Sequence, residues 1–533
     1  MYQDFSAAAD PTEGAKRTRA LMAELKRSDL GAFLVPRADE HMGEYVPACA
    51  ERLKWLTAFS GSAGMAAVTQ RKAALFVDGR YTLQAAQQAD TRLFDIHEIP
   101  GASAADWLAS VLPSGSAIGF DPWLHTTGWV NATTAMLARH GLSLKPVASN
   151  PIDKLWGKDR PAPPLGPVTI QPLEWAGESA ETKIQNLQKT LKAEKQDATI
   201  LTLPDSIAWL LNIRGSDVKH NPTALAFAIV PATGKPDLFI AKEKLGAEVR
   251  KHLSDLVRVR PPGDLKARLQ DLKAQSRRVR LDETTAAHWF RRTLGERSRH
   301  IVHGSDLCIA PKAIKNRAEI EGSRLAHARD AIAMARYLAW LDRQAPSGSV
   351  TEILAVETLE EMRRDTQALK EISFDTISGA GPNGAIVHYR VTEGTNRALK
   401  KGELYLVDSG AQYQEGTTDI TRTIAVGRPT AEMKQRFTLV LKGHISLATL
   451  RFPKGTTGTQ IDAFARRALW DAGLDFDHGT GHGVGSYLSV HEGPQSISKR
   501  GHIALEPGMI ISNEPGYYKT GEYGIRIENL VLV

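Results

Sequence analysis

The sequence predicts two successive α/β domains followed by a larger α+β domain. Three observations carry this. At 533 residues the chain is too long for a single core and calls for roughly two to four domains. Helix-length and strand-length apolar segments alternate up to about residue 310, and the alternation runs through twice. Beyond residue 311 the texture changes to blocks of helix and of antiparallel strand.

Residues 15–29 read as a helix with Leu21, Met22 and Leu25 on one face. Gly31 to Pro36 reads as a buried strand, and residues 66–69 and 73–77 as two more. Asp78-Gly79 supplies a turn, and a helix follows from Arg80 to about Ala89. This first unit is placed at residues 1–155. Residues 156–178 are rich in proline and read as a linker. The second unit, 179–310, repeats the first: a helix at 180–194, then strands at 197–201, 224–230 and 237–240. Trp209, Leu210 and Gly215 repeat the spacing of Trp55, Leu56 and Gly61. The second copy has Ala241-Lys242 where the first has Gly79-Arg80, so any task of Arg80 belongs to the first copy alone.

The third unit, 311–533, opens on a long amphipathic helix from Asn316 to Ala345, with Leu325, Ala328, Ile332, Ala335 and Ala339 as its expected apolar face. Ser349 and Glu352 read as a capping box for a helix over 351–364. Further helices are expected at 430–450 and 459–472, and strands at 404–407, 419–424, 509–511 and 525–533.

Composition narrows the class. Apolar residues make up 42% and charged residues 24%, the proportions of an ordinary globular protein. The net charge of +7 is spread among mixed charges, as in KAEKQD and RRVRLDE, which argues against a nucleic-acid footprint. No apolar run of membrane-spanning length and no signal-peptide core occur, so a cytoplasmic protein without membrane contact is expected. Cys49 and Cys308 lie far apart in no metal-like spacing and read as free thiols.

The chemistry gathers in the third unit. Asp408 ends one apolar strand and Asp419 begins the next, as on the two arms of a hairpin. Glu514 and Glu528 repeat that arrangement near the end of the chain. Between Asp419 and Glu514, His478, His482 and His491 lie in a glycine-rich stretch ending at Pro494, too loose for a helix or a central strand. Taken singly, each acid but Glu528 reads as a surface or capping group; Glu528, flanked by Ile525, Ile527 and Leu530, ought to face solvent or a ligand, and the histidines read equally as structural or functional groups. Four carboxylates converging without cations would repel one another. With His482 they form a hard, oxygen-rich donor set suited to Mn²⁺ or a similar ion, and two such ions would activate one water.

Asp408, Asp419, His482, Glu514 and Glu528, in that order and context, resemble the ligand set of the pita-bread metallopeptidases. The phrases Val387-His388-Tyr389, His478 to Gly485, His491 to Pro494 and Asn513 to Gly516 are similar to the aminopeptidase P branch, as are Glu319 to Gly322 and Ala326 to Asp330. Residues 52–64 and 78–81, with the duplicated creatinase-like domains, resemble its three-domain form.

The resemblance implies an aminopeptidase that releases the residue preceding a penultimate proline. It implies two divalent ions, manganese first, with cobalt, zinc or iron as alternatives. Asp408 would chelate one metal, Asp419 and Glu528 would bridge both, and His482 and Glu514 would complete the other. A metal-bridging hydroxide would attack the carbonyl, with Glu514 handling its proton. His388 and His491 would bond the carbonyl and its tetrahedral successor. His478, Tyr517 and Arg526 would shape the proline side, and Arg80 would reach a substrate end. The glycines around His482 would let the backbone pass close to a bound peptide. A homodimer is implied as well. Family members continue some tens of residues past the last ligand, whereas this chain stops at Val533, so the catalytic domain reads as truncated at its C-terminus, with a weakly anchored final strand and the dimer in question. The competing readings are a prolidase-type dipeptidase and a catalytically silent peptide-binding module of the same fold.

Overall fold

The first sheet grows outward from Ala32–Pro36, whose apolar run is buried almost throughout. That strand pairs antiparallel with Gly64–Thr69 and parallel with Ala117–Phe120. Ala73–Asp78 and Phe94–Ile99 extend one side and Ser143–Pro146 the other, giving six strands. The computed structural model describes residues 2–6, 10–99 and 101–533. A second six-stranded sheet is centred on Ala198–Leu201 and flanked by Phe227–Pro231 and Val279–Leu281. Its strand order and its sequence of parallel and antiparallel pairings match those of the first sheet. The duplication is therefore topological as well as sequential.

The first helix is Pro11–Leu25 rather than 15–29. The Asp10 side chain accepts from the Thr12 amide and Pro11 takes the first turn, where its missing N–H costs nothing, so the helix begins before its apolar face does. The two copies meet at stacked indoles, Trp123 and Trp289, 3.9 Å apart. The proline-rich stretch is not a free spacer. Thr169–Ile170 pairs with Ile213–Arg214, and the Ala176 carbonyl accepts from Asn316 Nδ2 at 2.8 Å.

The C-terminal part contains two nested hairpins of the same design. Leu404–Ser409 pairs with Ile420–Ala425 around an inner pair, Ala411–Tyr413 with Gly416–Thr417. Ile510–Asn513 pairs with Asn529–Leu532 around Gly516–Lys519 and Tyr523–Arg526. The strand expected over 525–533 is thus two, broken at Ile527 and Glu528. The last one is fully paired, and Val533 exchanges backbone bonds with Met509 and Gly508 at 2.9 and 3.0 Å. Among the described residues no helix is long and apolar enough to cross a membrane.

The long helix, Arg317–Gln344, is capped as a box by Asn316 and Glu319. Its buried face is not the expected one. Leu325 and Ile332 are 42% and 62% exposed, and Ala328, Ala335 and Ala339 are exposed too. The helix buries Ala326, Asp330, Ala333, Met334, Tyr337 and Leu341 instead. A polar residue sits at the centre of that face, so an apolar count chooses the wrong side. Asp330 holds Arg363, on the helix Glu352–Arg364, by two bonds of 2.8 and 2.9 Å. It also accepts from Tyr413 at 2.9 Å and Thr418 at 3.2 Å, while Arg363 reaches Ser409 Oγ at 3.1 Å. The helix Glu352–Arg364 is capped by Thr351, not Ser349, through Leu354 N at 3.2 Å.

A second ionic contact joins the middle sheet's domain to the C-terminal part. His220 is buried between Asp375 and Glu371, each at 3.2 Å. Burial opposes its charge, but the two carboxylates outweigh it and raise the imidazole to about 9.

Two measurements test these contacts. Asp330→Ala leaves Arg363 buried without its partner and is expected to lower the unfolding free energy by about 3–5 kcal/mol in urea denaturation; an unchanged midpoint would refute the brace. For His220 the folded value lies above the unfolded one. Its stabilisation, about 2–3 kcal/mol, is therefore complete below pH 6.5 and is lost as pH rises through 9. Thermal melts of the parent should fall between pH 7 and 9.5 by more than those of His220→Gln; equal slopes count against it.

Candidate active site

The nested hairpins bring their acids to one place. Asp408 lies at the end of its strand, opposite Thr421, and Asp419 just before the returning strand. Glu514 follows Ile510–Asn513, and Glu528 precedes Asn529–Leu532. All but Glu514 are buried. His482, on the short strand Gly481–His482, faces them, with Nε2 3.5 Å from Asp419 and 3.4 Å from Glu514. Ligand atoms of Asp419, His482 and Glu528 lie within 4.8 Å of one another. Asp408 stands slightly apart: its Oδ2 accepts from Arg526 at 2.7 Å, and its buried Oδ1 has no hydrogen-bond partner.

The electrostatics follow from that crowding. Burial, with the charges of Asp408 and Glu514, pushes Asp419 well above the usual carboxylate range. Burial and the charge of Asp419 do the same to Glu528, and burial raises Glu514 against the pull of Arg526. Local donors offset only part of this: Thr421 Oγ1 reaches Glu528 at 2.6 Å, and Ser512 Oγ reaches Glu514 at 2.9 Å. Burial and the neighbouring His491 lower His482 to about 3. Its Nδ1 lies 3.0 Å from the Gly483 carbonyl, which can only accept, so the lone pair is on Nε2, facing the acids. An orphaned carboxylate oxygen, raised acids and a neutral imidazole aimed at them all fit a cation site.

The remaining predicted residues divide. His491 stands edge-on to His482, ring centres 4.3 Å apart, and its Nδ1 is 2.8 Å from Glu44 of the first domain. Burial would lower its pKa, but Glu44, with Asp419 and Glu514, raises it to about 9. The same pair holds Glu44 down at about 2 against its own burial. His388 Nδ1 is 2.8 Å from the Tyr81 hydroxyl, which also meets Ser62 at 2.8 Å. Burial and the charges of Arg80 and Arg526 keep His388 neutral.

His478 has both nitrogens engaged within the protein, Nδ1 with Gly479 O and Nε2 with Tyr518 OH, each at 2.8 Å. Arg526 is 1% exposed and donates to Asp408, Tyr518 and Thr421, so it braces the acids rather than presenting itself in a cleft. Tyr517 is turned away: strand alternation packs it against Tyr523 and beneath Arg436, and Tyr518 takes the site-facing position. Arg80 stays bonded to Asp78 at 2.7 Å, beside the Tyr81 ring. The glycines serve the loop's own packing. A Cβ on Gly481 would stand 1.9 Å from the Ser512 carbonyl oxygen, and one on Gly483 2.1 Å from that of Glu492.

Sequence reasoning misses Glu44 and Tyr518. Glu44 lies in an irregular loop with no periodic or motif signal, and its partner is 447 residues away. For Tyr518 the alternation of its strand was the available signal.

Comparison with known proteins places these features in context. The sequence signature of metallopeptidase family M24 matches residues 321–533, and that of the creatinase/prolidase N-terminal domain matches twice, at 17–155 and 159–319. A probable Xaa-Pro aminopeptidase P of Ajellomyces dermatitidis is 41% identical over 98% of this chain and 87% of its own. The crystal structure of an X-prolyl aminopeptidase from Caenorhabditis elegans, described as a cytosolic enzyme with a di-nuclear active site, superposes with a TM-score of 0.92 at 37% identity, covering 98% of this chain and 87% of that one. A prolidase from Pyrococcus horikoshii, 22% identical with a TM-score of 0.54, covers 66% of this chain and 95% of its own, and shares the fold alone.

Proposed function

Because the chain belongs to the M24 metallopeptidase family, as a relative of the Xaa-Pro aminopeptidase P proteins, we propose that it removes the N-terminal residue from peptides with proline in second position. The observation that carries this reading is the convergence of four acids from two matching hairpins on the imidazole of His482, with one buried oxygen of Asp408 left over. We assign Asp408, Asp419, His482, Glu514 and Glu528 to two divalent ions, manganese by the hardness of the donor set. When bound, the ions supply Lewis-acid polarisation of the scissile carbonyl and lower the pKa of a water.

The chain's own residues do the rest. Glu514, raised by burial and adjoining His482, is poised to hold the proton that the water gives up. His491, kept protonated by Glu44, offers a charged N–H to oxygen that becomes negative during attack. His388, neutral and oriented by Tyr81, serves the same carbonyl from the other side. An X–Pro bond is a tertiary amide without an N–H, so a site that grips the carbonyl and the free amino terminus gives up nothing on this substrate. His478, Tyr518 and Arg526 form one hydrogen-bonded unit behind that grip. We read the chain as two α/β domains, 1–155 and 179–310, on a catalytic domain from 311, and place it in the cytoplasm as its nematode neighbour is described.

With Mn²⁺ present, the protein is expected to release arginine from Arg-Pro-Pro and to leave Gly-Pro largely uncleaved, as followed by amine-reactive chromatography. Cleavage of the dipeptide alone would favour the prolidase reading, and no turnover of either by a folded, metal-loaded sample would favour the silent module. Asp419→Ala should lose bound manganese by elemental analysis, and turnover with it, while melting as a folded protein. Full activity in that variant overturns the ligand assignment.

A further inference from the structure

The first α/β domain enters the site directly, through Glu44 and Tyr81. The second copy contacts the loop that separates His482 from His491, and it does so at consecutive positions. Arg214, which follows a helix of the second domain, donates from Nε to the Tyr487 carbonyl at 2.5 Å and from NH2 to the Ser486 carbonyl at 2.9 Å. The Leu488 side chain is buried among the second domain's own core residues, beside Trp209, Leu210 and Ala224 in one cluster. Ser489 Oγ donates to Asn221 Oδ1 at 3.0 Å. Lys312 is held between Asp205 and Glu492 at 2.8 and 2.7 Å, and Lys315 bonds the other oxygen of Glu492.

Arg214 is the unusual member. Its side chain is 4% exposed, and its hydrogen-bond acceptors are all backbone carbonyls, the other two being Ile213 at 2.8 Å and Ala208 at 3.4 Å. Among the described residues no carboxylate lies within ion-pair distance of it. Burying a guanidinium without a direct ion pair is costly: burial lowers its pKa to about 10, and the more distant charges of Tyr487, Glu319 and Glu492 offset this only in part. The carbonyls it holds flank a strained turn: Tyr487 has φ of +51°, a left-handed conformation that a tyrosine rarely takes. The clamp therefore fixes a backbone conformation that would otherwise relax. Four residues later stands His491, whose ring is set against both His482 and Glu44.

We propose that the second α/β domain is a clamp on the loop 483–492, and that Arg214 is a positioning residue that sets the aim of His491. Arg214 bonds none of the five assigned metal ligands; it acts through the turn at Ser486 and Tyr487. The inference rests on the peptidase reading above, and the two fail differently. An inactive parent protein removes that reading, whereas an active parent with indifferent Arg214 variants removes only this one.

The test uses the full chain loaded with Mn²⁺ and the substrate Arg-Pro-Pro. Arg214→Lys keeps a cation but cannot fork across two carbonyls, and Arg214→Met keeps the bulk without the donors. Misplacement of a catalytic group by about 1 Å costs on the order of 100-fold in rate. The expected order of kcat is therefore parent, then Arg214→Lys lower by roughly tenfold, then Arg214→Met lower by roughly 100-fold. KM should change by less than about threefold and bound manganese should stay at the parent's level. Amide hydrogen exchange should quicken over residues 484–491 and be unchanged in the two six-stranded sheets. Should Arg214→Met fail to fold, Arg214→Lys decides alone. A folded Arg214→Lys with kcat within twofold of the parent and unchanged exchange in the loop overturns the proposal. So does a fall in kcat that tracks a fall in bound manganese, because that would put Arg214 behind His482 and not His491.

Discussion

Four carboxylates, three of them buried, stand close together, and their mutual repulsion is the constraint around which the molecule is arranged. Each strand end that carries an acid is held by something stronger than sheet pairing alone. Arg526 ties Asp408 to Tyr518, Thr421 ties Glu528 to the first hairpin, and the Asp330–Arg363 pair grips Ser409 and Thr418, which adjoin Asp408 and Asp419. A buried ion pair is poor value as a source of stability, because desolvation consumes most of the attraction. It is well suited to fixing a geometry, and here it stands directly behind the two acids of the first hairpin.

The duplicated domains divide the labour. Their sheets have the same order and pairing, yet among the described residues the bonds to His388 and His491 come from the first, through Tyr81 and Glu44. The second grips the histidine loop from behind, with a buried arginine, a core that takes in Leu488, and Asp205, which shares Lys312 with Glu492. His220 fastens the same domain to the C-terminal part near Asp375. Duplication thus yields one copy whose side chains bond His388 and His491 and one that holds the loop between His482 and His491. Loss of the Arg80-like position in the second copy accords with that division.

Charge state follows from placement. His482 and His491 are edge-on neighbours, yet one is held neutral at about 3 and the other protonated at about 9. The difference is Glu44, which lies against His491. A neutral imidazole can give a lone pair to a cation, while a protonated one can only donate to oxygen. Two chemically identical side chains nine positions apart thereby take opposite charge states.

The sequence by itself determined the three-part architecture and the duplication, and it singled out the five residues we propose as the donor set. These rest on patterns that are local or strictly ordered: apolar alternation repeated at a fixed interval, and acids at the ends of apolar strands. It also marked His388 and His491 for attention. It did not determine which face of the long helix is buried, because Asp330, at the centre of that face, is satisfied by Arg363, Tyr413 and Thr418, all distant in sequence. Nor did it separate Tyr518 from Tyr517, where one step of strand alternation decides which ring meets Arg526. Glu44 and Arg214 carry no local signal at all. Their roles exist only once separate domains close on one loop, since a charge gains its meaning from the group it faces, and what each group faces is set by the tertiary fold.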